Sequence, residues 1–480
     1  MIKKLSILLL IIILALSWRV SQSRSLSLHF VDEEDHLAGA DLINHGYKLH
    51  ERIQSNHQPL VYFGSAVIQK LTRPDNIFML VRLTRLAMFA YGALWSLLLV
   101  GRFSWTGLIF VLFFEFLKYG LLGNLLLMES LAVYPAVYLF GVFLGGDKPR
   151  LPELLFLGFC SFLIVFNLVP LWPWLGVIWL VWLIKLKSKI IYPIISFSIL
   201  SLLLFSFYSP TAWFKETIYN NWLYAIPALN QIKTSLDWQK IIGFPFYSFT
   251  TGNSMQAQFI RLFFSGYMLA AIFNWRLLLL YPLLLLANNR VLSPGSAYYE
   301  GFHLLPWLGL MIAVFSYCLT KLKLKFILPL AVWALILLLN KNMPYFGKTD
   351  VDYEYFVNYS TIDDFNFAVK NLTLPGDRMA ITANQPLVHW QTGTDLATRQ
   401  LVYYGWEPNV PELKADYERV FYGDNPPEII YGNDEPVLLA EKYVNIFRYG
   451  QPTELFIRND RFSQITDSQW TALATRGFTK

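Results

Sequence analysis

Apolar residues in this chain recur in about eleven stretches: Leu5 to Val20, Ile77 to Val100, Ser104 to Phe116, Ser130 to Gly145, Leu151 to Val169, Trp172 to Ile184, Ile190 to Tyr208, Ala257 to Phe273, Leu277 to Ala287, Phe302 to Leu319 and Phe326 to Asn340. An α-helix crosses bilayer hydrocarbon with about 20 apolar residues, and with fewer when flanking residues adapt. The pattern predicts an α-helical polytopic membrane protein with about eleven transmembrane helices. Composition agrees, because 55% of residues are apolar or aromatic and 15% are charged, against roughly 25% charged in soluble domains. Disorder, collagen and coiled coil are excluded.

Charge orients the helices. Residues 1–340 hold 26 Lys and Arg against 14 Asp and Glu, whereas residues 341–480 hold 13 against 19. Within the membrane part the basic residues fall in alternate loops, as when Lys and Arg stay on the cytoplasmic side. Lys3, Lys4, Arg102, Lys148, Arg150, Lys185, Lys187, Lys189, Arg276, Lys321, Lys323 and Lys325 share that side, opposed by Asp147 and Glu153. The other side receives Ser21 to Asn76, Lys118 to Glu129, Ser209 to Gln256, Asn288 to Gly301 and everything after Lys341. Lys3 to Ser17 also reads as a signal peptide, and its removal leaves this sidedness unchanged. The basic balance therefore needs no nucleic acid, and no DNA-binding motif is present.

The chain divides by composition into a transmembrane domain at 1–343 and an extracytoplasmic domain at 344–480. In the latter, Thr361 to Leu372 reads as a helix, and Arg378 to Thr382, Glu428 to Tyr431 and Glu454 to Ile457 read as short strands. A small α/β domain of about 135 residues follows. Cys160 and Cys318 lie in apolar stretches, and the His and Cys residues lack the spacing of a zinc or redox motif.

Chemistry concentrates in the first outer loop. It opens Val31-Asp32-Glu33-Glu34-Asp35-His36, four consecutive carboxylates about ten residues beyond a membrane helix. Crowded carboxylates raise one another's pKa, which suits one of them to act as a general base. The plainer reading is a solvated acidic cap. Against the cap, Leu37, Ala40, Ile43 and Tyr47 recur at helical spacing, and a second amphipathic stretch, Pro59 to Leu71, follows Asn56-His57-Gln58. Two helices lying flat on the outer membrane face are expected, placing a carboxylate where a water-soluble acceptor meets a lipid-borne donor.

In order and spacing, Asp32-Glu33, Gly46-Tyr47 and His57-Gln58-Pro59-Leu60-Val61-Tyr62 resemble the first outer loop of C-type (GT-C fold) glycosyltransferases, in the branch of protein O-mannosyltransferases and lipid A aminoarabinose transferases. The match covers about 45 residues and continues in helices of similar hydropathy. The resemblance implies that Asp32 is the catalytic base, supported by Glu33, and that His57, Gln58 and Tyr62 bind substrate. It adds Glu129, at the outer end of a helix, to the substrate contacts. His303, which precedes Leu304-Leu305-Pro306, becomes a contact to phosphate or sugar. Read without the resemblance, Glu129 is a first-turn acid favoured by the helix dipole, and His303 is structural. Two residues depart from the family: Gln58 and Asn167 stand where it carries Lys. Arg82, Arg85 and Arg290 are replacement cations for the donor phosphate; each alternatively snorkels to headgroups or pairs with Asp75.

The expected function is thus a glycosyltransferase of the plasma membrane, moving a sugar with inversion from a polyprenyl-phosphate donor to an unidentified acceptor, which is a protein, lipid or envelope glycan. Its partners are that donor, membrane lipids and the acceptor. No nucleotide or nicotinamide cofactor is implied and no metal is required, although the acidic cluster has the chemistry to bind a divalent cation. The alternative is a transporter or flippase of lipid-linked saccharides, which usually carries ionisable residues at the bilayer midplane. Glu115 is the main such residue here.

Overall fold

The computed structural model describes residues 2–146, 149–228, 238–250, 254–287, 298–321, 328–341, 349–433 and 435–480. The first nine α-helices are α1 (Ile2–Ser23), α2 (Val31–Asn44), α3 (Pro59–Thr72), α4 (Ile77–Phe103), α5 (Trp105–Leu117), α6 (Met128–Gly145), α7 (Leu151–Val165), α8 (Trp172–Leu186) and α9 (Ile191–Phe205). The chain forms two compact units. One comprises Met1–Ser25, Thr84–Phe207 and Thr234–Asp350; the other comprises Leu26–Leu83, Tyr208–Lys233 and Val351–Lys480.

The helices of the first unit mark a membrane protein. Among the described residues, five helical segments are long and apolar enough to cross a bilayer: Leu5–Ser23, Ile77–Phe103, Met128–Gly145, Val169–Phe205 and Gly301–Lys321. Leu151–Val165, Trp275–Leu285 and Leu328–Asn340 are shorter apolar helices. The expected eleven are therefore not all of spanning length. At 1.5 Å per residue, the 13 residues of α5 extend only about 20 Å. The stretch expected as two spans, Trp172 to Ile184 and Ile190 to Tyr208, is one helical run broken at Lys187, whose φ of +51° stops α8 before α9 begins. Phe326 to Asn340 reaches into 322–327, outside the described residues.

Packing separates core helices from lipid-facing ones. Gly301–Lys321 is 89% buried along its apolar window, whereas Val169–Phe205 is 11% buried and exposes Leu180, Leu183, Ile184, Ile199, Leu202 and Leu203. So large an apolar surface is stable only against lipid or another protein. α7 and α9 touch at Gly158, where an added Cβ would stand 2.3 Å from the Pro193 carbonyl oxygen. Any larger residue there separates the two helices. The Glu115 carboxylate in α5 is buried and meets Lys118 Nζ at 2.7 Å, the Tyr134 hydroxyl, and the Ser17 and Ser96 hydroxyls at 3.3 Å each.

The second unit contains the small C-terminal sheet. Strands β1 (Arg378–Ile381), β2 (Asp395–Leu396), β3 (Ile429–Tyr431), β4 (Tyr443–Arg448), β5 (Gln451–Arg458) and β6 (Phe478–Thr479) form one mixed sheet in the order β2-β1-β3-β5-β4-β6. β1 runs parallel to both β2 and β3, and the other pairings are antiparallel. Ala380, Val420, Phe421, Ile430, Leu438, Leu439 and Tyr443 form one of its cores. The expected helix is present and longer, Val351–Leu372.

This unit also includes the first outer loop, which forms two helices as expected, although α2 is not a surface helix. Its residues from Glu33 to Leu42 are all buried, polar ones included. They are covered by α3 and by the Pro386–His389 turn. Trp390 Nε1 donates to Gln69 Oε1 at 3.2 Å, the Gln391 amide donates to Asp41 Oδ2 at 2.9 Å, and Gln54 bridges Gln400. α3 keeps one exposed apolar edge at Val67 and Leu71. The three stretches building this unit fall largely within segments that the charge pattern assigns to the outer side.

Candidate active site

Asp32, Asp35 and His36 lie at i, i+3 and i+4 in the first turns of α2, so they share one helix face. Asp32 is half-buried, while Glu33, Glu34, Asp35 and His36 are at most 3% exposed. Facing them is the Ser55 to Tyr62 segment, where Pro59 in the first turn of α3 fixes the chain's entry to that helix. Tyr62 donates to Asp35 Oδ2 and lies 2.7 Å from Ser55 Oγ. Its ring reaches α2 because residue 39 is Gly: a Cβ there would stand 2.7 Å from Tyr62 Cε1. His36 Nε2 and His57 Nδ1 are 2.9 Å apart, and His57 Nδ1 is 3.6 Å from Asp35 Oδ2.

The C-terminal segment closes this side of the unit. The Tyr404 ring meets His57 edge-on, with ring centres 6.4 Å apart. Burial, followed by the charges of Asp32 and Asp35, holds the Tyr404 phenol well above its usual pKa. Burial and Asp35 do the same to Tyr62. Both phenols therefore keep their protons, and Tyr62 gives its own to the bond with Asp35. His50 donates from Nε2 to the His57 carbonyl at 3.2 Å, which leaves Nδ1 to accept from the Tyr208 hydroxyl. Burial drives His50 down to about 3, so it stays neutral and fixes the loop.

Glu407, fully buried, is pushed up to about 8 by burial, against the lowering effect of bonds from Gln400 Nε2 at 2.7 Å and the Tyr404 amide at 2.9 Å. Both bonds reach Oε2; Oε1 has no hydrogen-bond partner among the described residues, so ionisation there is unfavourable. At neutral pH Glu407 is mostly the neutral acid. Folding raises its pKa, so its contribution is complete below the unfolded value near 4.5 and is lost as pH climbs through about 8. Glu407→Gln is neutral at every pH. Its thermal midpoint should gain on the wild type between pH 7 and pH 9, and two parallel melting-versus-pH curves would contradict the assignment.

Other expected site residues lie elsewhere. Gln58 is buried and accepts from Trp213 Nε1 at 3.0 Å, so it anchors the Pro210–Phe214 helix. Arg82 is half-buried over the Phe78 ring, 5.6 Å from its centre. In the first unit, Glu129 and His303 are brought together, His303 Nδ1 lying 2.9 Å from Glu129 Oε1. Buried Arg85 donates to the Ser25 carbonyl at 3.3 Å, and Asn167 donates to the Leu163 carbonyl at 2.8 Å. Arg290, with Asn288 and Asn289, lies outside the described residues.

Sequence reasoning missed Asp35, His36, His50, Tyr404 and Glu407 as parts of one constellation. The i, i+3, i+4 spacing of Asp32, Asp35 and His36 was an available signal. Tyr404 and Glu407 carried none. No family model, curated protein or solved structure matches the chain.

Proposed function

We propose that this protein is a multi-pass membrane glycosyltransferase that takes a sugar from a polyprenyl-phosphate carrier on the outer face of a bacterial plasma membrane. Asp32 is the general base: it accepts the proton of an acceptor hydroxyl or amine as that atom attacks the anomeric carbon. The bond from that carbon to the phosphate oxygen breaks with inversion, and the lipid phosphate leaves as a stable anion. Glu33 supports Asp32, His57, Gln58 and Tyr62 bind substrate, and Arg82 serves the donor phosphate.

One observation carries this reading. Asp32 keeps partial access to solvent at the edge of an otherwise buried cluster of Asp35, His36, His57, Tyr62 and Tyr404, in a unit built from segments the charge pattern places outside. An acidic solubilising cap needs no such burial. The transporter alternative gains little from Glu115, because Lys118 neutralises that carboxylate within the same buried cluster.

The test uses the full chain in proteoliposomes with labelled polyprenyl-phosphate sugar and an envelope extract as acceptor source. Label should move from the lipid to a new product. Translocation of intact labelled lipid without transfer would favour the transporter, and the absence of both transfer and translocation would remove both readings.

A further inference from the structure

We propose that Asp35, His36 and His57 hold one divalent transition-metal ion of the zinc class. The proposal stands on the geometry of these three side chains, whether or not Asp32 acts as a base. One carboxylate oxygen and two imidazole nitrogens converge so that all three ligand atoms lie within 4.8 Å of one another. Two of the separations are 2.9 Å and 3.6 Å. Ligands placed about 2.0 to 2.2 Å from a single ion stand roughly 2.9 to 3.6 Å apart in octahedral or tetrahedral arrangements. The observed spacings match that range.

The surroundings are those of a built site. The three residues are 3%, 1% and 9% exposed, so little conformational freedom is left to lose on binding. Outer contacts hold two of the ligands, Asp35 and His57, as metal sites require. Tyr62 donates to Asp35 Oδ2 and is itself held by Ser55. The His57 backbone is clamped on both sides, its amide donating to Ser55 Oγ at 3.0 Å and its carbonyl accepting from His50. Negative charge is concentrated here, since Glu33, Glu34 and Asp35 are consecutive and buried beside half-buried Asp32, and a dication offsets it. Two imidazoles with one carboxylate select zinc, cobalt, manganese or iron(II) over calcium or magnesium, which prefer oxygen ligands. Three ligands leave coordination positions open, one helical turn from Asp32.

Two imidazole nitrogens 2.9 Å apart are also compatible with a single shared proton and no metal. The experiment separates these cases. The full-length protein in nanodiscs is stripped with chelator and titrated with Co2+, whose visible bands report nitrogen and oxygen ligation, and the ion is then displaced with Zn2+. One equivalent per chain should bind, with protons released. Affinity should fall about 100-fold or more in His36→Ala and in His57→Ala, and remain in His303→Ala. X-ray absorption of the zinc-loaded wild type should show two imidazole ligands, a readout that needs no variant to fold. Failure of the stripped wild type to take up Co2+, undiminished binding in both His variants, or fewer than two imidazoles around zinc would each overturn the site.

Discussion

Asp32→Asn in the reconstituted protein should lower the rate of sugar transfer by about 10²- to 10⁴-fold, the range that a positioned general base supplies. The amide keeps the shape of the side chain and cannot accept the acceptor's proton. Asp32 is half-buried at the start of α2, while the helix is held mainly by residues from Glu33 to Leu42, so folding should survive. Equal thermal midpoints for variant and wild type would establish that. A comparable substitution at an exposed carboxylate, Glu51→Gln, should leave the rate within a factor of two. If Asp32→Asn retains more than a tenth of the wild-type rate while inserting and melting normally, the base lies elsewhere and the catalytic reading fails.

The largest expected effect on stability lies in the first unit, at Glu115 and Lys118. Their side chains are 0% and 3% exposed and 2.7 Å apart. Removing one partner of a buried ion pair strands the other charge and costs about 3 to 5 kcal/mol. Lys118→Met should therefore unfold at markedly lower denaturant in detergent, as should Glu115→Gln by a smaller margin. The double variant should recover most of the loss, because a neutral pair strands nothing. Space for compensation is scarce: a Cβ at Gly92 would stand 2.7 Å from the Tyr134 hydroxyl and 3.0 Å from Lys118 Nζ. Single variants within about 1 kcal/mol of wild type would mean that the pair is hydrated or replaceable.

The sequence made the helices of the first unit legible because a bilayer demands length and apolarity together, and both can be counted. Its turns were less readable. Nothing in Lys185-Leu186-Lys187-Ser188-Lys189 shows that a single residue at positive φ breaks one helical run there. In the C-terminal sheet, β1, β3 and β5 were visible as short apolar runs, but β4 begins directly after the Pro436–Lys442 helix and lacks a turn signal before it. The two-residue strands β2 and β6 carry no period at all.

The candidate site divides along the same line. Asp32 and Glu33 stood out as local sequence, and so did His57 and Tyr62 through their order along the chain. The burial of α2 did not, because an apolar helix face has the same periodicity whether lipid or protein covers it. What covers it here comes from far away: Gln391 bonds Asp41 across 350 residues of chain. Pairings of that range leave no trace in a window of a dozen residues.

Such separations also govern when the buried cluster can exist during synthesis. Tyr404 and Glu407 leave the ribosome about 370 residues after Asp32, a delay of roughly 20 to 75 s at ordinary elongation rates. Throughout that interval α2 is translated without the turn and loop that later enclose it, and its acids stay hydrated. A chain cut short before residue 390 would therefore insert its apolar helices and still leave this cluster unassembled, so any competence it confers is conferred last.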